Sequence, residues 1–120
     1  MSYISFKYQY SLKDRIFESN RVLEKYPTKI PIICERSNHP GSNCPLIDKN
    51  KYLVERDLTL GQFQYVIRKR LKLTPEKAIF LIIKNNIPAT TQIIGDLYEK
   101  NKNEDGFLYI NYSYENVFGN

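Results

Sequence analysis

The chain has 120 residues, 42% of them apolar and 26% charged, which suits one ordinary domain and argues against wholesale disorder. Its longest apolar run, Ala78–Ile83, is far short of the about 18 residues a spanning helix needs. The opening MSYISFKYQYSLKDR lacks the apolar stretch of a secretory signal, so a cytosolic or nuclear address is expected. The two cysteines, Cys34 and Cys44, are too few for a secreted disulfide scaffold and are read as reduced thiols. Lys and Arg number 18 against 13 Asp and Glu, a net charge of +5. The excess is concentrated between residues 49 and 77, where Lys49, Lys51, Arg56, Arg68, Lys69, Arg70, Lys72 and Lys77 face only Glu55, Asp57 and Glu76. That asymmetry points to an acidic partner without choosing among nucleic acid, membrane surface and peptide.

In chain order, Ser11–Tyr26 reads as a helix. Ser11 caps it, Asp14 sits in its first turn, Pro27 stops it, and Leu12, Ile16 and Leu23 form an apolar stripe with Val22 beside it. Ile30–Glu35 reads as a strand with Ile30, Ile32 and Cys34 on one face and Pro31, Ile33 and Glu35 on the other. Apolar residues on both faces predict that both are covered. Ser37–Pro45 is a loop by composition, and Tyr52–Val54, extended by Lys51, is a second strand that closes a hairpin. Leu60–Leu71 is the clearest helix. It has a T-x-x-Q capping box at Thr59 and Gln62, a stripe of Leu60, Phe63, Val66, Ile67 and Leu71, and Pro75 beyond its end. Ala78–Ile83 reads as a buried strand, Ile93, Ile94, Leu97 and Tyr98 as a short helix, and Phe107–Tyr112 as a last strand. A hairpin, a long helix and two further strands predict an α+β sheet with a helix across one face, in the manner of the ubiquitin-like β-grasp, and additional N-terminal helices packed on the other.

Several longer runs carry a resemblance. KYPTKIPIICER, IDKNKYLVERDLTLGQFQYVIRKR, EKAIFLIIKN and YEKNKNEDGFLYINYSYENVFG are similar to the ubiquitin-like autophagy modifiers, the GABARAP and microtubule-associated light-chain group. The similarity runs from about Phe6 to Gly119. It implies residues 1–28 as an N-terminal helical extension, 29–112 as the β-grasp core and 113–120 as a tail bearing the conjugation glycine. It further implies that a cysteine protease cuts after Gly119 and removes Asn120. Activating and conjugating enzymes then carry the Gly119 carboxyl as thioesters to the amine of phosphatidylethanolamine. The product is a tag on autophagosome membranes and cytoplasmic vesicles, itself not an enzyme and needing no cofactor. A glycine suits a handle that must thread narrow active sites, because it has no Cβ.

The resemblance also implies a groove for peptides of the form aromatic-x-x-aliphatic, such as cargo receptors carry, added to a sheet edge. By motif, the aromatic pocket takes Glu18, Val22, Pro31, Ile33, Lys51, Leu53 and Phe107, and the aliphatic pocket Tyr52, Val54, Leu58, Phe63, Val66 and Ile67. Lys49, Lys51 and Arg70 are expected to meet an acidic flank of the peptide. Three positions depart from the family pattern. Glu55 stands where relatives usually have proline and is expected at the rim of the aliphatic pocket; Tyr114 and Val117 replace the usual glycine and threonine before the terminal F-G. Phe80, on the strand Ala78–Ile83, is a candidate for a second docking surface.

Other readings compete. Cys34, His39 and Cys44, spaced five and five, offer the elements of a nucleophile–base pair or of a partial zinc set. The parity of Cys34 puts it in the core, however, leaving one buried thiol and two loop residues as the plainer account. Ten tyrosines and a basic middle suit nucleic-acid stacking, but no recognition signature accompanies them, and nucleic acid is not an expected partner. A peptide-binding adaptor of the same fold that is never lipidated keeps everything except the role of Gly119.

Overall fold

The computed structural model describes residues 4–38 and 44–114. The expectations placed on His39, Val117, Gly119 and Asn120 therefore lie outside the described residues. Two helices open the chain: α1 (Phe6–Gln9) and α2 (Leu12–Lys25). Each starts at a serine whose hydroxyl accepts from a backbone N–H of the first turn, Ser5 from Tyr8 and Ser11 from Asp14. Only α2 is legible in the sequence, because α1 is one turn long and too short for any apolar period to show. What holds α1 is tertiary. The Phe6 ring packs edge-on to Phe107 at 5.3 Å and beside Tyr10 at 5.0 Å, and the Phe6 N–H donates to the buried Glu35 carboxylate at 2.7 Å.

The sheet has four strands, β1 (Lys29–Arg36), β2 (Lys51–Glu55), β3 (Phe80–Ile82) and β4 (Leu108–Ser113), in the order β2-β1-β4-β3. β1 pairs antiparallel with β2 and parallel with β4, and β3 closes the far edge antiparallel to β4. Between β2 and β3 runs α3 (Leu60–Leu71), and α4 (Ile94–Asn101) precedes β4. This is the mixed α+β, ubiquitin-like arrangement that the element order predicts.

Strand parity sorts the two faces. Ile30, Ile32 and Cys34 join Leu60, Phe63 and Ile67 of α3 and Leu108, Ile110 and Tyr112 of β4 in the main core. Ile33 points the other way and is fully buried with Phe6 and Phe107, so the second apolar face of β1 is covered by the N-terminal segment, as the run IPIICE predicts. The Thr59–Gln62 capping box forms as read, and α3 ends at Lys72 in the left-handed region, φ 57°.

Four expectations need correction. The strand expected over Ala78–Ile83 is only three residues long, because β3 finds partners at Ser113, Tyr112 and Asn111 alone. The chain then reverses through Lys84 and Asn85, both at positive φ. Leu12, expected on the buried stripe of α2, is exposed, and the residue of that helix which is fully buried is Ser19. Its hydroxyl donates to the Asp105 carbonyl, and α2 comes so close to Gly106 that a Cβ there would stand 2.5 Å from Ser19 Oγ. Cys44 is not a loop-surface residue. It is buried in the same core as Cys34, pinned where Arg36 donates to its carbonyl at 2.9 Å and Tyr112 donates to the carbonyl of Pro45 at 2.7 Å. Glu55, finally, does not rim the aliphatic residues: it shares the parity of Lys51 and Leu53 and pairs with Lys29 across the strand at 3.4 Å.

Candidate functional site

The β2 strand has a partner on one side only, so its outer backbone edge is open among the described strands. Register sets what stands above and below that edge. Pro31 lies opposite Leu53 and Ile33 opposite Lys51, which puts Leu53 and Lys51 on the face covered by α1 and α2. Tyr52 and Val54, one residue out of phase, turn toward α3 and pack on the main core.

On the first face, Val22, Pro31, Lys49, Lys51, Tyr52, Leu53 and Phe107 line a pocket of about 210 Å³. Five of the seven residues expected for the aromatic pocket are thus brought together. The other two are placed differently. Ile33 is fully buried under Phe6 and Phe107 and supports the floor without lining the opening. Glu18 lines an adjoining pocket of about 350 Å³, with Phe6, Tyr10, Asp14, Arg15, Phe17 and Lys51. The sequence reading missed this second pocket; the alternating aromatics Phe6, Tyr8 and Tyr10 are the signal it left.

On the second face, Tyr52, Val54 and Leu58 are half-buried and Val66 is 41% exposed, forming an apolar strip between β2 and α3. Phe63 and Ile67, expected in the same pocket, are wholly inside the core. Tyr52 stands edge-on to Phe63 at 5.5 Å, and burial pushes its phenol up to about 12, so it presents a neutral ring at the strip. With Phe63 and Ile67 withdrawn into the core, what this face offers is an apolar strip of Tyr52, Val54, Leu58 and Val66.

The three cations expected to meet an acidic flank are not equally available. Lys51 donates to Glu18 at 3.0 Å, and Arg70 donates to Asp48 at 2.8 Å. Hydrogen bonds from Arg21 first, and Lys51 second, hold the Glu18 carboxyl below its ordinary value, and Arg70 does the same to Asp48. Lys49 sits over the Tyr52 ring at 5.1 Å and has no carboxylate in ion-pair reach among the described residues. Two of the three cations are thus held in exposed surface pairs, which water and salt weaken.

The frame behind the first pocket is a buried polar knot. Asp105 accepts from Arg15 at 2.5 Å, from the Tyr109 hydroxyl at 2.5 Å and from the Phe107 N–H at 2.9 Å. It fixes α2 and the start of β4 together on either side of Phe107. Burial first, then the bond to Asp105, pushes the Tyr109 phenol up, so this hydroxyl remains a donor at any ordinary pH.

The remaining candidates are placed away from chemistry. Burial raises the thiol of Cys34 strongly and that of Cys44 to about 11, so neither is a thiolate near neutrality. Among the described residues no three His, Cys, Asp or Glu are grouped to hold a metal. Phe80 lines a third pocket of about 300 Å³ with Leu60, Gln64, Ile79, Leu81 and the turn around Pro88.

Comparison with known proteins agrees with this fold. The family model for the autophagy protein Atg8, ubiquitin-like, matches residues 14–119. Autophagy-related protein 8c of Arabidopsis thaliana is 54% identical over 119 residues, covering 99% of this chain and 98% of the relative. Autophagy-related protein 8 of Schizosaccharomyces pombe is 55% identical over 114 residues, covering 95% and 93%. Among solved structures, Trypanosoma brucei ATG8 superposes with a TM-score of 0.87 at 37% identity, covering 98% of this chain and 100% of that one. Plasmodium falciparum Atg8 in complex with a Plasmodium falciparum Atg3 peptide superposes with a TM-score of 0.84 at 35% identity, covering 94% and 98%. With full-length identity above half and the same fold, the chain belongs to the Atg8 family of ubiquitin-like autophagy proteins.

Proposed function

We propose that the chain acts as a modifier conjugated through Gly119 to phosphatidylethanolamine, and that while attached it gathers partners through the groove beside β2. In this reading a cysteine protease hydrolyses the Gly119–Asn120 peptide bond and frees the glycine carboxylate. An activating enzyme joins that carboxylate to a nucleotide as an acyl adenylate with release of pyrophosphate, and its cysteine thiol displaces the nucleotide to form a thioester. The conjugating-enzyme thiol takes over the acyl group, and the lipid amine displaces that thiol to give an amide. The observation that carries the conjugation half is that the family match continues to Gly119 and the run Phe118-Gly119 is intact. The protein would then pass from the cytoplasm to autophagosome membranes and vesicles. No helix among the described residues is long and apolar enough to cross a bilayer, so a covalent lipid is a means of attachment this fold can use.

The peptide-binding half is supported by the open edge of β2 with a 210 Å³ pocket on one side and the strip of Val54, Leu58 and Val66 on the other. A peptide strand added to that edge turns alternate side chains to the two faces, and its backbone supplies the hydrogen bonds. The aromatic anchor belongs over Leu53 and Phe107, where burial is deepest and carries most affinity. Cargo receptors with an aromatic-x-x-aliphatic motif are the partners this chemistry suits. Since the Plasmodium falciparum relative forms a complex with an Atg3 peptide, an Atg3-derived peptide is a direct first ligand.

The test is Gly119→Ala. That variant keeps its fold and its peptide affinity and yields no lipid-modified, faster-migrating species on membranes. A lipid-modified species formed by Gly119→Ala would end the conjugation reading while leaving the groove intact.

A further inference from the structure

Val22, Glu18 and Asp14 follow one another at i, i+4 spacing on one face of α2. The pocket over Leu53 therefore gives way, toward the start of that helix, to the adjoining one of about 350 Å³. Three rings stand around this second opening. Phe6 is its buried back. Tyr10 is held against Phe6 at 5.0 Å, and its carbonyl accepts from Arg15 Nε at 3.1 Å. Phe17 reaches out from α2, 69% exposed, and pairs with no other ring among the described residues. Rings grouped in this way beside a pocket form a patch, which a lone exposed side chain does not.

Four charged groups line the same pocket, and three of them are already paired. Arg15 donates to Asp105 at 2.5 Å and Lys51 to Glu18 at 3.0 Å, while Glu18 also accepts from Arg21 at 2.9 Å. Asp14, exposed in the first turn of α2, has no ion pair among the described residues. The charge left to meet a ligand is thus negative. Lys51 also shows what the rings accept: its Nζ stands 5.9 Å from the Phe6 centroid, within the reach of cation–ring attraction. A long cationic side chain suits such a site, because its methylenes can cover apolar surface while its head stays at the carboxylate.

We propose that this second pocket takes a lysine or arginine side chain from the peptide strand docked on β2, its stem on Tyr10 and Phe17 and its charge at Asp14, and so selects among partners that share the aromatic-x-x-aliphatic core. The inference rests on the groove reading. Val54 and Leu58, which take the aliphatic position, lie past Leu53 in chain order, whereas Lys51, shared by both pockets, lies before it. The flank concerned is therefore the one preceding the aromatic residue. Asp14 is eight residues from Val22, about 12 Å along the helix, a span that extended chain covers in about three or four residues. Strand alternation turns the fourth, and not the third, to the face on which the aromatic anchor points. Acids closer to the anchor remain free to meet Lys49 and Lys51.

Titration calorimetry on the full chain tests this with two synthetic peptides that share one acidic-flanked aromatic-x-x-aliphatic core. One carries lysine at the fourth position before the aromatic residue, and the other carries glutamine there. The lysine peptide is expected to bind about fivefold tighter, the combined effect of one exposed ion pair and one cation–ring contact. Asp14→Asn brings the ratio of the two affinities close to one, Phe17→Ala lowers it, and Asp14→Lys inverts it. Both side chains are exposed on α2, so these substitutions leave the core untouched. A ratio of one in the wild-type chain, or a preference for lysine that persists in Asp14→Asn, would overturn the proposal while leaving the groove in place. Failure of both peptides to bind the wild-type chain would remove the groove reading and this inference with it.

Discussion

Lys51 on β2 donates to Glu18 on α2 at 3.0 Å, and this bridge forms the wall between two pockets that both count Lys51 in their lining. The residue thus holds strand to helix in the free chain and sits where the flank of an added peptide would pass. Its pair is exposed enough to exchange, so a peptide carboxylate can replace Glu18 at small cost.

Leu53→Ala is expected to weaken an acidic-flanked aromatic-x-x-aliphatic peptide about tenfold or more, since Leu53 supplies anchor burial. Lys51→Ala loses less, about two- to fivefold, and Glu18→Gln gains by a similar factor because Lys51 is released to the ligand. Calorimetry on the three variants checks the order. Unchanged affinity for both Leu53→Ala and Lys51→Ala would remove the groove from β2.

The Glu18 carboxyl is held below its ordinary 4.5 in the folded chain by Arg21 and Lys51. Its folded value lies under its unfolded one, so the stabilisation is complete above about pH 4.5 and fades as pH falls through the folded value. The wild-type chain should therefore lose stability more steeply than Glu18→Gln below that pH. The difference is about 0.5–1 kcal/mol for a pair this exposed. Urea titrations of both at pH 7 and pH 3 measure it; parallel losses would contradict the assignment.

Asp105 is wholly buried and its partner Arg15 is 11% exposed in side-chain terms. Asp105→Ala strands the guanidinium, the Tyr109 hydroxyl and the Phe107 N–H together, and is expected to cost about 3–5 kcal/mol. Asp105→Asn should cost less, because an amide oxygen can still accept from Phe107. Chemical denaturation distinguishes them, and equal small losses would show that the knot is not what secures α2.

Gly106 has φ 92°, and a Cβ there would meet Ser19 Oγ at 2.5 Å and Ser19 Cβ at 3.1 Å. Gly106→Ala adds backbone strain to a clash against a fully buried side chain, for an expected loss of about 2–3 kcal/mol. A melting temperature within a degree of wild type would mean that α2 shifts freely, contrary to the packing described.

The strand parity of IPIICE and KYLV, the capping box of α3 and the covering of both β1 faces could all be read from the sequence, because each rests on a short-range period. The parts that escaped it depend on long-range partners. Helix α1 exists because Phe6 finds Phe107 and Glu35, 101 and 29 positions away. Ser19, a polar residue in a helix, is buried because Gly106 lets the backbone approach. The turning of Glu55 toward Lys29 likewise follows from register, which a motif alone does not carry, whereas Phe63 and Ile67 lie inward as their place on the apolar stripe of α3 predicts.

Intact-mass spectrometry of the chain recovered from membranes of autophagy-induced cells tests the central claim most directly. The account predicts a species that has lost Asn120 and gained one phosphatidylethanolamine at Gly119. Recovery of only the full-length, lipid-free chain under those conditions would contradict it and leave a peptide-docking module without a membrane anchor.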